Sequence, residues 1–198
     1  MREYRIQKKG ETLDWNQIPS LPIDSHQWVE PVPIEARGQF CYDNEALYVK
    51  LTAIEEHIRA EQTDVLGNPC QDSCLEFFFS PVDGDNRYFN IEINPNGCLF
   101  LGFGSDRYNL VRLLPLEGVI HPEVQRFDGG WSVSYAVPFA FIRRFFPEFQ
   151  PISGSIIRAN CYKCGDLTVA PHYMSWNPIT RTIPDFHRPD YFGIMHFE

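Results

Sequence analysis

Runs in which apolar and polar residues alternate one by one recur along this chain, and they limit the folds that it can adopt. Leu75, Phe77 and Phe79 alternate with Cys74, Glu76, Phe78 and Ser80, and the same period of two continues elsewhere. This period is typical of β-strands, because successive side chains in a strand point to opposite faces of the sheet. The segments with strand character are 36–42, 46–53, 74–80, 88–94, 98–103, 131–137, 155–163 and 192–197.

Turn-forming residues separate these runs. Asn96-Gly97, between two alternating segments, is a strong hairpin signal, and Asp128-Gly129-Gly130 is another turn. Many short strands joined in this way predict an all-β fold, a two-sheet antiparallel β-sandwich of immunoglobulin-like or jelly-roll style. One short helix is predicted over 138–146, because Pro138 suits a helix start and Pro147 a stop.

The 16 prolines are scattered along the 198 residues, which argues against long helices and against an all-helical bundle. No shift in composition, internal repeat or low-complexity tract marks a boundary within the chain. We therefore predict a single β-sandwich domain over residues 1–198.

The charge balance and the apolar runs exclude two classes of partner. With 17 Lys and Arg against 26 Asp and Glu, the net charge is -9, so no basic excess is available to neutralise nucleic acid. No apolar run approaches the ~20 residues that span a bilayer, so no membrane segment is expected. The N-terminus lacks a signal-peptide pattern, which predicts a cytoplasmic protein, or a secreted or periplasmic one if a signal has been removed.

Six cysteines are spaced irregularly, too sparsely for a disulfide scaffold. Cys161 with Cys164, and Cys70 with Cys74, would suit a redox motif or a zinc site. A zinc site usually needs a second close pair of ligands, and free cysteine is among the most buried residue types. We therefore favour reduced, buried structural thiols.

One predicted sheet face combines carboxylates and amides with aromatic rings. Glu76 lies on it in one strand, and Asn90 and Glu92 lie on it in the next. Such a face suits a polyhydroxylated ligand, whose hydroxyls bond to carboxylates and whose C–H faces lie on rings. The alternative is an ordinary solvated sheet face. Arg158 and Asn160 form a similar polar face in a later strand.

Trp176 lies in a turn-rich segment, where a large ring can be exposed to a ligand. The alternative, which we favour from the residue type alone, is packing in the core.

Several of these segments resemble motifs of carbohydrate-binding module family 9, a group of DOMON-like β-sandwiches. The resemblance covers the chain from about residue 36 to residue 197, and the motifs occur in the order seen in that family. They are 72–78, with its acidic strand, 88–97, the Trp-led strand 130–139, 158–162, 175–178 and 185–193.

The resemblance implies a sugar-binding domain without catalysis of its own, often attached to glycoside hydrolases in carbohydrate catabolism and often carrying structural calcium. Its ligand would be a mono- or oligosaccharide held between two aromatic rings. Glu76 matches the family's acidic position and Trp176 matches one ring, whereas 67–71, where the other ring would lie, contains no aromatic residue. The predicted carbohydrate-binding residues are Glu76, Asn90, Glu92, Arg158, Asn160 and Trp176.

The sequence is also compatible with two other functions. Glu76 and Glu92 could form the acid and base pair of a glycoside-active enzyme. Against this, we expect an exposed sheet face, which does little to raise the pKa of either carboxyl group, and no apolar pocket around them. A haem-binding sandwich would use Met and His ligands. The residues available for it are Met174, Met195, His172 and His196.

The sugar-binding hypothesis requires no cofactor, although a calcium ion is possible. Asp83 and Asp85 place two carboxylates in one turn, as calcium loops do, but the sequence lacks the remaining EF-hand ligands. An ordinary hairpin turn is the alternative interpretation.

Overall fold

The computed structural model describes residues 1–114 and 119–198, and strands dominate both parts. Within them lie fourteen strands and one α-helix. The strands are β1 (Glu3–Lys8), β2 (Ser20–Pro22), β3 (Ser25–His26), β4 (Glu35–Tyr42), β5 (Ala46–Ile54), β6 (Cys74–Ser80), β7 (Tyr88–Ile93), β8 (Leu99–Gly104), β9 (Leu110–Arg112), β10 (Glu123–Phe127), β11 (Gly130–Pro138), β12 (Ile156–Gly165), β13 (His172–Ser175) and β14 (Gly193–Phe197); the helix is α1 (Phe139–Ile142).

The strands form two layers that β1 joins into one curled sheet. One layer has the order β10-β11-β5-β4, and the other has the order β14-β12-β6-β7-β8-β9. Residues Glu3–Ile6 of β1 pair with β14, and Gln7 and Lys8 pair with β4. The predicted β-sandwich is confirmed, with one difference. Both pairings of β1 are parallel, whereas the other strand pairs of the described residues are antiparallel.

The predicted strands are all present, while the helix is shorter than predicted. It ends at Ile142, and turns continue the chain to Pro147. Phe141 lies within the helix and Phe146 lies after its end, and both rings are buried. We infer that the packing of these rings determines the path of the chain here. Among the described residues no helix is long and apolar enough to cross a membrane.

The main core lies between the two layers and is rich in aromatic side chains. Phe77 of β6 packs against Phe40 of β4 with ring centroids 4.9 Å apart, which joins the layers directly. Phe79 and Phe89 pack beside them. The apolar residues that point inward in the alternating runs therefore form the core, as the period of two predicts.

The outer face of β6 and β7 is also buried, which the sequence did not predict. The loop segment 176–192 lies over this face, where Phe186 stacks on Tyr162 of β12 with centroids 4.1 Å apart. The hydroxyl of Tyr88 bonds to Nδ1 of His187 at 2.9 Å. We call this second apolar group the outer cluster. It comprises Cys74, Phe78, Tyr88, Tyr162, Cys164, Ile179, Phe186 and Phe192.

A charged network closes one end of the main core. Lys163 of β12 is fully buried, and its Nζ lies 3.2 Å from Oε2 of Glu55 and 2.6 Å from Nε2 of His172. Trp131 Nε1 and Ser73 Oγ donate to the same Glu55 carboxylate at 2.7 and 3.0 Å. Burial and the Lys163 charge lower the pKa of His172 to about 4, which keeps its ring neutral and able to accept from the ammonium group.

Replacing Lys163 by alanine would leave Glu55 buried without its cation. Removal of one partner of a buried ion pair costs about 3–5 kcal/mol, so we expect Lys163→Ala to lower the free energy of unfolding by about that amount. Urea unfolding followed by circular dichroism measures it. Lys8→Ala, at an exposed position of β1, is the matched control and should change stability by less than about 0.5 kcal/mol. Equal effects of the two variants would contradict the role given to the network.

Candidate functional site

A pocket of about 220 Å³ opens over the outer face of the sheet, with two carboxyl groups among its lining residues. Glu76 of β6 and Glu92 of β7 are direct partners in the strand register, so both side chains project to the same face. The aromatic rings of Trp28, Tyr173 and Phe186 line the same pocket. The arrangement combines hydrogen-bonding groups with flat apolar surfaces.

Both carboxyl groups are nearly inaccessible, with Glu76 at 3% and Glu92 at 8% exposure. Burial raises the pKa of Glu92 to about 7. The pKa of Glu76 also lies well above its usual range, because of burial first and the neighbouring Glu92 second. Our expectation of an exposed face with ordinary carboxyl pKa values and no surrounding pocket is therefore wrong. The physical reason is the loop segment 176–192, which covers the sheet around them.

Among the described residues, each carboxyl group has one hydrogen-bond donor. Asn90 Nδ2 donates to Glu92 Oε1 at 2.6 Å, and the Cys164 thiol donates to Glu76 Oε1 at 2.8 Å. Gly102 of β8 makes room for Asn90, since a Cβ there would lie 2.2 Å from Asn90 Oδ1. Asn90 lies two positions before Glu92 in β7, on the same sheet face, and positions its carboxyl group.

Trp28 forms an aromatic wall that the sequence did not predict. Its ring lies 5.9 Å from that of Tyr173 and 5.3 Å from that of Phe186, and its Nε1 donates to the carbonyl of Arg181 at 2.8 Å. Its φ of 59° is the one positive value at a non-glycine residue in the described chain. A bulky residue in this conformation is strained, and such strain concentrates at binding sites. No alternating run surrounds Trp28, so no sequence pattern marked it.

A wider groove of about 830 Å³ continues from the pocket. The two share Arg107, Pro184, Asp185 and His187. Arg107 Nε lies 3.3 Å from Asp185 Oδ1 at the junction. Tyr108, at 92% exposure, lines the groove. Burial and the Arg107 charge lower the pKa of His187 to about 4, so its ring is neutral. The bond between His187 and Tyr88 holds the covering segment on the sheet.

The predicted sugar-binding residues separate into two groups. Glu76 and Glu92 line the pocket and Asn90 supports it. Arg158 lies elsewhere, paired with Asp83 at 2.8 Å. Asn160 is buried below segment 176–192, donates to the carbonyl of Asn177 at 2.9 Å and accepts from its N–H at 2.8 Å. These bonds hold the segment in place and leave Asn160 outside the pocket lining.

Trp176 does not reach the pocket. It is 2% exposed and packs in the main core, where its ring lies against Gly193 of β14. A Cβ at Gly193 would lie 2.6 Å from that ring, so the glycine makes room for it. Trp176 therefore packs in the core, as the alternative interpretation had it, and does not lie at the pocket as predicted.

Comparison with known proteins places this chain in a family. The family model for carbohydrate-binding family 9 matches residues 7–197. The chain belongs to this family. No curated protein sequence matches it.

Solved structures share the fold of this chain. A putative carbohydrate-binding protein from Bacteroides uniformis has a TM-score of 0.83 at 27% identity, with 100% of this chain and 99% of that chain covered. A family 9 module from Caldicellulosiruptor kristjanssonii in complex with glucose has a TM-score of 0.72 at 12% identity, covering 100% and 96%. The same organism's module in complex with cellotriose has a TM-score of 0.68 at 12% identity, covering 100% and 94%. The function of this family 9 domain is non-catalytic carbohydrate binding.

The turn predicted to bind calcium does not fit the ion in this family 9 domain. Asp85 is bound by the guanidinium group of Arg87, and Asp83 is bound by that of Arg158. Because each carboxylate already faces a cation, the pair does not form the oxygen cage that calcium requires. The geometry is that of the ordinary turn given as the alternative.

The ligands considered for haem do not meet either. Met174 and Met195 are buried in the main core, while His196 lies at the surface beside Glu3. His172 belongs to the Lys163 network. The structure thus brings no pair of these residues to one side of a cofactor-sized cavity among the described residues.

The six cysteines are all free, and all except the half-buried Cys70 are buried. The burial of five of the six thiols agrees with the prediction.

Replacing Trp176 tests its place in the core. Truncation of a buried Trp to alanine costs about 3–5 kcal/mol, and we expect Trp176→Ala to lose about that much in urea unfolding. Trp15→Ala is the control, since Trp15 is only half-buried and lies outside the main core. A Trp176 variant that keeps full stability but loses sugar binding would restore the role originally predicted.

Proposed function

We propose that this domain binds one sugar ring in the Glu76–Glu92 pocket, with the ring face against the indole of Trp28. The observation that carries the proposal is the meeting of two carboxyl groups and an aromatic wall in one pocket. Its volume of about 220 Å³ suits a single small ligand, because pockets for drug-sized molecules start at about 300 Å³.

The carboxyl groups supply both kinds of hydrogen bond that a hydroxyl-rich ligand needs. An ionised carboxylate accepts, and a protonated carboxyl group also donates. Each group uses one oxygen on a protein donor, from Asn90 or from Cys164. The remaining oxygen of each is available to a ligand hydroxyl. A buried polar group without a partner is costly, so a ligand that bonds to it gains affinity.

The adjoining groove extends the proposal from a monosaccharide to an oligosaccharide. One unit would fill the pocket and the next would follow the groove past Arg107 towards the exposed ring of Tyr108. An exposed tyrosine offers a flat apolar surface with a polar tip, which suits a sugar face. The glucose and cellotriose complexes of the Caldicellulosiruptor modules make gluco-configured saccharides the first ligands to test. In this proposal, the domain supports glycan degradation by a partner glycoside hydrolase.

Trp28→Ala should weaken glucose and cellotriose binding at least tenfold, because it removes the proposed stacking wall. A tenfold change in Kd corresponds to about 1.4 kcal/mol. Glu92→Gln should also weaken binding, since it keeps the shape of the side chain but changes its hydrogen-bonding groups. Isothermal titration calorimetry measures both effects.

Trp15→Ala is the matched control for this experiment and should bind as the wild-type protein does. Tyr108→Ala should weaken cellotriose more than glucose, because only the longer ligand would reach the groove. If Trp28→Ala and Glu92→Gln keep wild-type affinity for sugars that the wild-type protein binds, the pocket is not the binding site.

The structure adds one observation in favour of the catalytic alternative. The raised pKa values of Glu76 and Glu92 resemble those of enzymatic acids. Hydrolysis of aryl glycosides that is lost in Glu92→Gln would support an enzyme. We expect the wild-type protein to show no turnover, since the family function is binding.

A further inference from the structure

Two thiols and a carboxylate converge beneath the sugar pocket. One ligand atom from each of Cys74, Glu76 and Cys164 lies within 4.8 Å of the other two, and all three residues are buried. Cys74 of β6 and Cys164 of β12 are direct partners in the strand register, so the two side chains leave the sheet on the same face. Glu76 lies two positions after Cys74 in the same strand, which places it on that face as well.

The donor set selects a particular kind of ion. Thiolates suit zinc and other soft or borderline metals, whereas calcium and magnesium take oxygen ligands only. In a tetrahedral site with Zn–S bonds of about 2.3 Å, two sulfur ligands are about 3.8 Å apart. The three ligand atoms therefore already lie near the spacing that a tetrahedral ion imposes, and small side-chain rotations would complete it.

The pocket gives an ion access to these ligands and leaves a fourth position open. Glu76 and Cys164 line the pocket, and the half-buried thiol of Cys70 lines it too. The fourth ligand could come from Cys70 or from water entering through the pocket. Three protein ligands with one open position are the arrangement of accessible zinc sites.

We propose that Cys74, Glu76 and Cys164 form a binding site for a zinc-class divalent cation. On binding, each thiol gives up its proton to solvent and forms a sulfur–metal bond, and the Glu76 carboxylate supplies an oxygen ligand. Two thiolates and one carboxylate around a divalent cation leave a net charge of one negative unit.

This site goes beyond sugar binding and shares Glu76 with the proposed sugar pocket. An ion bound to Glu76 removes an acceptor from the pocket, so metal and sugar should compete. Direct metal titration in the absence of sugar keeps the two proposals separate, since either can fail without the other.

Cobalt(II) is the probe, because its thiolate complexes absorb strongly in the near ultraviolet and tetrahedral coordination adds bands in the visible. Titration of the reduced protein should give one equivalent of bound Co²⁺ with thiolate charge-transfer absorption, and Zn²⁺ should displace it. Cys74→Ala and Cys164→Ala should each lose at least half of the charge-transfer intensity. Cys41→Ala, at a buried thiol in the other layer, is the control and should retain it.

A second measurement keeps the proposal testable if the variants do not fold. Zn²⁺ added to the native wild-type protein should slow the reaction of Cys164 with a thiol reagent, as identified by peptide mapping. Glu76→Gln should reduce this protection. Absence of charge-transfer absorption, or its retention in both Cys74→Ala and Cys164→Ala, would overturn the proposal.

Discussion

The covering of the outer face of β6 and β7 by the segment 176–192 is the contact on which the rest of this structure depends. Phe186 stacks on Tyr162, and His187 bonds to Tyr88, so aromatic packing and a buried hydrogen bond hold the segment on the sheet. Without this cover, Glu76 and Glu92 would be ordinary surface carboxylates. With it, the remaining gap becomes a pocket that contains two buried acids.

The alternating runs predict the central strands because their inward residues have to form one core. They could not predict β1, since the charged residues around Tyr4 and Ile6 resemble an exposed terminus. Its parallel pairing with both β14 and β4 depends on contacts with strands far away in sequence. The alternation of residues in a strand predicts the sheet face to which each side chain points, but it does not predict what covers that face.

The same limit explains which site residues could be predicted. The alternation predicts that Glu76 and Glu92 share a sheet face, and the strand register places them opposite each other. Trp28 and Trp176 could not be distinguished by residue type, because both lie in irregular segments. Only the tertiary packing buries Trp176 against Gly193 and leaves Trp28 at the pocket.

Burying two acids on one sheet face is unfavourable for the folded chain. This cost indicates which kind of ligand would suit the pocket. A charged carboxylate without full solvation favours either a proton or a bonding partner. Sugar hydroxyls provide donors for these oxygens, whereas a hydrocarbon ligand of the same size would leave them unpaired and would bind poorly. In the proposed mode of binding, the aromatic walls would contribute affinity through apolar contact, and the carboxyl pair would set the class of ligand. Selectivity for a hydroxyl-rich ligand would then follow from the same groups whose burial is unfavourable for the fold.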